Sequence, residues 1–301
     1  MTKSKCPMQD CDTRIIGHLG LGIGHFPCSP YHPRMFTDAL QLTKPGLFIT
    51  GTDTDVGKTV ISCGVAWALR RQRPSTTVGV CKPFASGCRK ERGGLVADDA
   101  EALAHFSDCR LPLDVINPLR YREPLAPAVA AEQLGEPTDW AALAHSLNRI
   151  NDASDVVVVE GVGGLMVPLD PAVPSRTVLD LAAALDYPVL VVTRSGLGTL
   201  NHTAMTIALL KVRGLRIAGV VMNGYEHDEA MAMADDPSRG SNRNWIRKQS
   251  GVEVVAAVPF AKAKDVRPAE GLIDPVVLEG IGAADWWGMA KAPTPQRGVR
   301  R

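Results

Sequence analysis

The chain of 301 residues is poor in aromatic side chains and has no excess of either charge. Aromatic residues make up 5% of it, and 33 lysines and arginines stand against 32 aspartates and glutamates. The first figure argues against an aromatic-rich all-β sandwich. The second gives no support to non-specific nucleic-acid binding, which draws on a basic excess. We therefore do not expect nucleic acid as a partner. No apolar run approaches the roughly 18 residues of a membrane-spanning helix, so we do not expect a membrane as a partner either.

The cysteines do not form a regular pattern. Their number, seven, is odd and their spacing irregular, which does not indicate a disulfide framework. Lys3 and Lys5 are not followed by the apolar stretch of a secretory signal, because His18 and His25 interrupt it. We therefore expect a reducing, cytoplasmic location.

Residues 1–44 are rich in cysteine and histidine but lack sustained periodicity. The simpler interpretation is a mobile extension, or an upstream start codon read through to Met35. A Cys/His metal site is the alternative, although four residues separate Cys6 from Cys11 where structural zinc sites use two.

From Gly46 onward, short apolar runs alternate with helical patterns. Val156–Val159 consists of valine alone, as in a strand buried on both faces of a parallel sheet. The alternation predicts an α/β fold, a doubly wound and mostly parallel sheet with helices on both faces. We predict strands at 47–50, 78–81, 156–159, 188–192, 217–222 and 252–258, and helices at 59–72, 97–106, 139–150 (capped by Thr138 or Asp139), 178–185 and 201–212. Beyond Phe260 the pattern thins, and the basic, Pro-rich Lys291–Arg301 is predicted to be a frayed tail.

A phosphate-binding loop is the strongest motif. Gly51–Thr59 reads GTDTDVGKT and lies between a predicted strand and a predicted helix. The N–H groups of such a turn converge with the helix N-terminus on an anion. In this pattern Lys58 faces the β- and γ-phosphates and the Thr59 hydroxyl binds Mg²⁺. Five residues separate Gly51 from Gly57, one more than in the common form.

Polar residues also follow two other predicted strands. Lys82 begins the turn Lys-Pro-Phe-Ala-Ser-Gly, and Glu160 begins Glu-Gly-Val-Gly-Gly. The carboxyl ends of strands in an open α/β sheet share one crevice, which would bring Lys82 beside the phosphate loop. A carboxylate at a strand end suits a metal ligand. Asp98 and Asp99 open a predicted helix and are either N-capping residues or further ligands.

Two more strand ends carry candidate binding groups. Gly196–His202 makes a glycine turn into a helix N-terminus, which favours a carboxylate or phosphate. His202 by itself is better explained as a structural residue. Asn223 ends the 217–222 strand, where its amide either contacts an adenine edge or makes an ordinary turn.

These motifs together resemble the dethiobiotin synthetase family in their order and spacing, over residues 46–262. The resemblance rests on Gly51–Thr59, Lys82–Gly87, Glu160–Gly164, Gly196–His202 and Val221–Asn223. It implies an ATP-dependent cyclo-ligase of biotin biosynthesis that closes the ureido ring of dethiobiotin from 7,8-diaminononanoate and CO₂. One amine forms a carbamate, a carbamate oxygen attacks the γ-phosphate, and the second amine displaces phosphate from the mixed anhydride. Such phosphoryl transfer needs positioning and charge neutralisation more than a protein nucleophile.

The resemblance also implies roles for single residues. Lys58 and Lys82 are the implied catalytic lysines, and Thr59, Asp99 and Glu160 the implied Mg²⁺ ligands. The neighbouring Asp98 leaves the metal assignment open by one residue, and Asp55 stands where many relatives carry Glu or Gly. The implied ATP-binding residues are Gly51, Thr52, Asp53, Thr54, Asp55, Val56, Gly57, Lys58, Thr59, Glu160, Gly163, Asn223 and Pro259. The implied substrate-binding residues, shared across a homodimer interface, are Thr54, Lys82, Ser86, Gly198, Thr199, Leu200 and Asn201.

The predicted organisation is an N-terminal extension (1–44), a P-loop ligase domain (45–262) and a C-terminal segment (263–301). Two rival classes remain. An amide ligase similar to cobyrinic acid diamide synthetases would bring a glutamine-amidotransferase domain, for which no room is left. A partitioning or scaffold ATPase of the MinD/ParA type usually has an extra lysine early in the loop, where this chain has Thr52 and Asp53. The tail also lacks the apolar face of a membrane-targeting helix.

Overall fold

A sheet of six parallel strands lies at the centre of the fold. The structure, a computed structural model, describes residues 37–225, 236–259, 261, 265–291 and 293. In chain order the strands are β1 (Gly46–Gly51), β2 (Val78–Cys81), β3 (Phe84–Ala85), β4 (Arg89–Glu91), β5 (Gly94–Val96), β6 (Leu119–Arg120), β7 (Val156–Gly164), β8 (Val189–Arg194), β9 (Ile217–Tyr225), β10 (Val254–Pro259), β11 (Val266–Arg267) and β12 (Leu272–Ile273). The large sheet has the order β10-β9-β8-β1-β7-β2, and three small sheets pair β3 with β6, β4 with β5, and β11 with β12.

Helices connect the parallel strands. In chain order they are α1 (Lys58–Gln72), α2 (Asp98–Ser107), α3 (Leu113–Ile116), α4 (Pro127–Leu134), α5 (Trp140–Asp152), α6 (Val178–Leu185), α7 (Thr199–Val212), α8 (Arg239–Ser250), α9 (Pro275–Gly282) and α10 (Trp286–Met289). The N-cap of α5 is Asp139, whose carboxylate accepts the N–H of Ala142 at 2.8 Å. Among the described helices, none has the length and apolar character needed to cross a membrane.

The sheet is buried on both faces, as the valine run predicts. Val157 and Val159 pack in one hydrophobic cluster, and Val156 and Val158 pack in a second cluster on the opposite face. All four side chains are at most 1% exposed. Alternate side chains of a strand point to opposite faces, so helices on both sides are needed to cover such a run. The predicted doubly wound α/β fold is confirmed.

The strand order reverses at β1, and this reversal positions the site. From β1 the chain crosses to β2 at one edge of the sheet and returns to β7, which pairs with β1. It then continues on the other side of β1 with β8. In open α/β sheets a crevice opens at the carboxyl ends of the strands that flank such a reversal. The phosphate loop after β1 therefore lies between the strand ends of β7 and β8.

The described part of the predicted N-terminal extension lies against α5. The Asn151 side chain is 2% exposed, and its Oδ1 atom accepts the backbone N–H groups of Thr43 at 2.9 Å and Lys44 at 3.0 Å. The end of the predicted extension is thus hydrogen-bonded to the domain that follows. Residues 1–36, which contain the cysteines and histidines of the alternative metal site, lie outside the described residues.

The segment after β10 contributes to the same core as the sheet. Trp286 is fully buried, and its indole N–H donates to the Ile281 carbonyl at 2.8 Å. Val277 and Ile281 belong to the cluster that covers Val156 and Val158. The sequence pattern did not predict these short elements. The domain boundary at residue 262 stays a prediction, and residues 294–301 of the predicted tail lie outside the described residues.

Candidate functional site

The loop between β1 and α1 has a backbone that only glycine fits at two positions. Gly57 has a φ of +91°, and a Cβ atom there would lie 2.0 Å from the Asn223 side-chain nitrogen. At Gly51 a Cβ atom would lie 2.9 Å from Lys58 Nζ and 2.7 Å from the Asp53 carbonyl oxygen. A left-handed backbone and close approaches of this kind exclude larger residues. The predicted phosphate loop therefore forms with its two glycines at the points of closest contact.

Lys58, at the first position of α1, folds back across the loop. Its Nζ atom donates to the Asp53 carbonyl at 2.9 Å, and the residue is 7% exposed. Burial, followed by the positive charge of Lys82, lowers the pKa of Lys58. An ammonium in this position favours the approach of an anion, because an anion would offset both effects. The structure holds this side chain inside the loop.

A cluster of charged side chains lies beside the loop, just after β2 and within β7, which continues past the predicted strand end at residue 159 to Gly164. Lys82 Nζ is 2.5 Å from Glu160 Oε1 and 2.7 Å from Asp99 Oδ2. The Thr59 hydroxyl oxygen is 2.9 Å from one oxygen of each carboxylate. Glu160 is fully buried and Lys82 is 3% exposed. The rule that carboxyl ends of parallel strands share a crevice thus brings Lys82 to the predicted place.

The two carboxylates keep Lys82 charged. Burial by itself would lower the pKa of the lysine, but Glu160 and Asp99 outweigh it and raise that pKa. Burial likewise would raise the pKa of Asp99, and the Lys82 ammonium outweighs it, so the pKa of Asp99 is lowered. Burial raises the pKa of Glu160, and the same ammonium works against the rise. The cluster at neutral pH is therefore an ammonium with at least one carboxylate against it.

The oxygen atoms of this cluster fit a magnesium ion. Glu160 Oε2 is buried and has no hydrogen-bond partner, and the Thr59 hydroxyl lies between the two carboxylates. Mg²⁺ prefers oxygen ligands and is usually held by one or two carboxylates together with substrate phosphates. Within the described residues no group of three or more His, Cys, Asp or Glu side chains is arranged to hold a metal. An ion here would depend on the phosphates as well as on the protein.

Asp99 and Asp98 point in different directions. Asp99 contacts Thr59 and Lys82 as described, whereas Asp98 is exposed and paired with Arg89. Successive residues of a helix are 100° apart around its axis, so only one of the two can face the loop. In the geometry of the structure that residue is Asp99.

The loop and the charged cluster line one cavity of about 260 Å³. Its walls include the predicted substrate residues Thr54 and Ser86. Asp55 also lines it, with a φ of +55°, in the left-handed region. The full lining is Thr54, Asp55, Gly57, Lys58, Thr59, Val60, Lys82, Ala85, Ser86, Asp99, Glu160, Val162 and Gly163.

Other predicted nucleotide-binding residues support the loop or lie away from it. The Asn223 side-chain amide donates to the Val56 carbonyl at 3.0 Å, so this amide holds the phosphate loop in place. The Thr52 N–H donates to the Val192 carbonyl of β8 at 3.0 Å. Pro259 ends β10, three strands away from β1 in the sheet. Adenine recognition by Asn223 and a nucleotide contact of Pro259 stay predictions.

The predicted substrate turn begins α7, after β8, and does not line the cavity of its own chain. Gly198 has a φ of +91° and open space where a Cβ atom would stand. The Thr199 hydroxyl is buried and donates to the Arg194 carbonyl at 2.6 Å, while Asn201 is exposed. Within one chain the structure therefore does not bring Gly198, Thr199, Leu200 and Asn201 together with Thr54 and Ser86.

Sequence reasoning missed one arginine beside the loop. The Arg194 guanidinium at the end of β8 donates to the Thr54 carbonyl at 3.1 Å. A signal was available, because Arg194 ends the strand next to β1 and the strand-end rule that selected Lys82 applies there as well.

The chain is similar to known proteins over most of its length. The family model described as "AAA domain" matches residues 45–266. The chain is similar to the ATP-dependent dethiobiotin synthetase BioD of Anaeromyxobacter sp. (strain K), with 43% identity over 71% of this chain and 90% of the relative. The proteins of the same name from Bacillus licheniformis and Nitrosopumilus maritimus are 36% and 33% identical, over 75% and 72% of this chain and 89% of each relative.

Solved structures similar to the chain include a ParA family ATPase from Chlorobium tepidum, with 17% identity and a TM-score of 0.48 over 80% of this chain and 97% of that chain. MinD of Pyrococcus horikoshii, complexed with Mg-ADP, shows 16% identity and a TM-score of 0.46 over 79% of this chain and 93% of that chain. Likeness at this level carries no conclusion about activity or assembly.

Proposed function

The chain belongs to the family of ATP-dependent dethiobiotin synthetases, and from this premise we propose how its own residues perform the ligase reaction. The reaction closes the ureido ring of dethiobiotin from 7,8-diaminononanoate and CO₂, and converts ATP to ADP and phosphate. The observation that carries the proposal is the convergence of a phosphate loop, two buried lysines and two carboxylates on one cavity. This cavity contains the charges that phosphoryl transfer requires, and the reaction needs no protein nucleophile.

The phosphate loop binds and orients the ATP phosphates. Its backbone N–H groups and the start of α1 face the anion, and Lys58 exchanges its contact with the Asp53 carbonyl for phosphate oxygens. Fixed donors of this kind stabilise charge that develops in the transition state. Asn223 keeps the loop in shape through its bond to Val56.

Lys82, Ser86 and Thr54 bind the carbamate. One amine of the substrate attacks CO₂ and loses a proton, which gives the carbamate; one of its oxygens then attacks the γ-phosphorus and releases ADP. The second amine attacks the carbonyl carbon of the resulting mixed anhydride and loses a proton, and phosphate leaves with the anhydride oxygen. Lys82 lies at the carboxyl end of β2, next to Ser86 in the cavity wall, and supplies positive charge to the carbamate and the transferred phosphoryl group.

Thr59, Asp99 and Glu160 would hold Mg²⁺. The ion supplies charge neutralisation on the transferred phosphate when bound. In its presence Lys82 no longer has to neutralise both carboxylates, and its ammonium is available to substrate oxygens. We place the reaction in the cytoplasm, where ATP is supplied.

A product assay tests the proposed function. The protein is mixed with ATP, Mg²⁺, bicarbonate and 7,8-diaminononanoate, and dethiobiotin is sought by mass spectrometry. We expect dethiobiotin and ADP in equal amounts, and no comparable ADP formation when the diamine is left out. Rapid ATP hydrolysis without the diamine and no dethiobiotin would contradict the proposal and favour a nucleotide-switched ATPase.

Glu160→Gln is expected to raise the Mg²⁺ concentration for half-maximal activity by about tenfold or more. The amide keeps the shape of the side chain but removes the charge that attracts a hard cation. Titration of activity with Mg²⁺ at saturating ATP measures the effect. Glu132→Gln, on the exposed surface of α4, is the matched control. An unchanged Mg²⁺ dependence would leave Glu160 as a buried residue of β7 with no part in metal binding.

The substrate turn completes the cavity of a second subunit in a homodimer. On α7, Asn201, Met205, Ala208 and Val212 follow one another at helical spacing and are all exposed. Met205 is 56% and Val212 83% exposed, although the opposite face of the helix is buried in its own chain. Large apolar side chains that are exposed on one face of a helix favour a partner on that face. A second copy of the chain would cover it and bring the turn to the partner's cavity.

Asn201→Ala is expected to raise the KM for 7,8-diaminononanoate with little change in the KM for ATP. The start of α7 favours an anion, and the diamino acid has a carboxylate that the phosphate loop does not bind. Steady-state kinetics in both substrates measure the two constants. An unchanged KM for the diamine would contradict the role of the turn.

Mixing two variants separates the shared site from a site within one chain. Lys58→Ala subunits lack the phosphate lysine, and Asn201→Ala subunits lack the turn residue. In a mixed dimer one of the two sites combines an intact Lys58 with an intact Asn201. We expect mixing to restore activity at low diamine concentration above the sum of the separate variants. Failure to restore it, with subunit exchange shown by mass spectrometry, would contradict the homodimer site.

A further inference from the structure

The turn before α7 is held by one side chain from the first turn of α8, Asn242, and one that precedes the helix, Asp236. Only two residues of α8 are buried, Ile246 and Asn242, and most of the others are polar and exposed. Asn242 is 2% exposed, and a buried amide is stable only if it is hydrogen-bonded. Its Nδ2 atom donates to the Ser195 carbonyl at 2.8 Å and lies 3.3 Å from the Gly196 carbonyl.

Asp236 holds the other side of the same turn. Its Oδ2 atom accepts the Leu197 N–H at 2.8 Å, and its Oδ1 atom accepts the N–H of Ser238 at 3.0 Å and the Ser238 hydroxyl at 2.6 Å. A Cβ atom at Gly196 would lie 2.7 Å from Asp236 Oδ2, so glycine is required for this approach. The Ser238 hydroxyl and the Leu197 N–H lower the pKa of Asp236, which stays ionised at neutral pH.

These contacts decide which groups of the turn remain for a ligand. The carbonyls of residues 195 and 196 accept from Asn242, and the Leu197 N–H is bonded to Asp236. The Thr199 N–H donates to the Gly196 carbonyl at 3.2 Å. The next N–H groups, those of Leu200 and Asn201, have no partner within the helix and remain for a ligand. Open space surrounds Gly198. The turn is thus fixed on one side and presents donors on the other.

We propose that Asp236 and Asn242 are positioning residues that fix the turn at residues 195–198 in the shape in which the start of α7 accepts the carboxylate of the diamino acid. The inference rests on the proposed function of this turn. Neither residue touches the substrate, and both act through the backbone of Ser195, Gly196 and Leu197. A turn that is already ordered loses less conformational entropy on binding, so its affinity is higher than that of a free loop.

The test compares Asp236→Ala with Asp236→Asn. Alanine removes the acceptor of the Leu197 N–H, whereas asparagine keeps an acceptor oxygen and removes only the charge. We expect alanine to raise the KM for 7,8-diaminononanoate about tenfold, the scale of one hydrogen bond, with kcat and the KM for ATP within about twofold of wild type. Asparagine should restore most of the affinity. Asn242→Asp, which sets an acceptor against two carbonyl oxygens, should act like alanine at 236. Asn244→Ala, exposed on the same helix, is the control.

Two results would overturn the inference. One is an unchanged KM for the diamine in a folded Asp236→Ala enzyme. The other is an equal rise of both KM values together with a lower melting temperature, which would show a general structural role. Measurement of Asn201→Ala distinguishes a failure of this inference from a failure of the proposed function. If Asn201→Ala raises the KM and Asp236→Ala does not, only the inference fails; if wild type makes no dethiobiotin, the proposed function fails first.

Discussion

Lys58→Ala is expected to lower the rate of ring closure by more than about 100-fold, the scale for removal of one preorganised charge contact in a transition state. The protein should remain folded. Lys58 lies 7% exposed at the start of α1, and burial lowers its pKa, so keeping its charge there opposes folding. When the Lys58 side chain is removed, water can reach the Asp53 carbonyl and replace the lost hydrogen bond.

The rate of dethiobiotin formation at saturating substrates measures the loss, and circular dichroism with a thermal melt reports the fold. Arg71→Ala is the control, since Arg71 is an exposed cation near the other end of the same helix. A folded Lys58→Ala enzyme with wild-type turnover would refute the assignment of the phosphate loop.

Lys82→Met should lower the rate of ring closure by a similar factor. It should also lower the melting temperature of the protein by an amount that depends on Mg²⁺. Methionine matches the four-atom apolar stem of lysine without the ammonium group, so the carbamate and the phosphoryl group lose their cation. The buried Glu160 carboxylate also loses its nearest positive partner, 2.5 Å away. Breaking a buried ion pair by removing one member costs roughly 3 kcal/mol or more. Mg²⁺ with a nucleotide supplies the missing charge.

We therefore expect the melting temperature of Lys82→Met to fall below that of wild type in EDTA and to recover most of the difference with Mg²⁺ and ADP. Lys90→Met, an exposed lysine on β4, should melt like wild type in both conditions. An unaltered melt in EDTA would show that Lys82 does not stabilise Glu160. Full ring-closing activity of Lys82→Met would show that Lys82 takes no part in the reaction.

The sequence could predict those parts of the site that follow from the sheet. Continuous valine runs indicate strands buried on both faces, and parallel strands put their carboxyl ends at one edge. From these two rules Lys58, Lys82 and Glu160 had to lie close together, and the structure places them around one cavity.

Other parts depend on contacts between distant segments. The choice between Asp98 and Asp99 needs the rotation of α2 about its axis, which the packing of its buried residues determines. Asn223 reaches Val56 because Gly57 has no side chain in between, a relation that spans more than 160 residues. The short elements around Trp286 have too few residues for a periodic pattern, so their burial is visible only in three dimensions.

The central position of β1 has a consequence for how the chain folds as it leaves the ribosome. β1 is the first of the strands to be made, but its neighbours β7 and β8 begin more than 100 residues later. Gly46, at its first residue, also exchanges hydrogen bonds with Lys291. Contacts between such distant residues form slowly, and an unpaired apolar strand is prone to aggregate. Synthesis therefore leaves β1 without a partner strand for more than 100 residues, over a third of the chain, and during this time the strand is exposed to binding by a molecular chaperone.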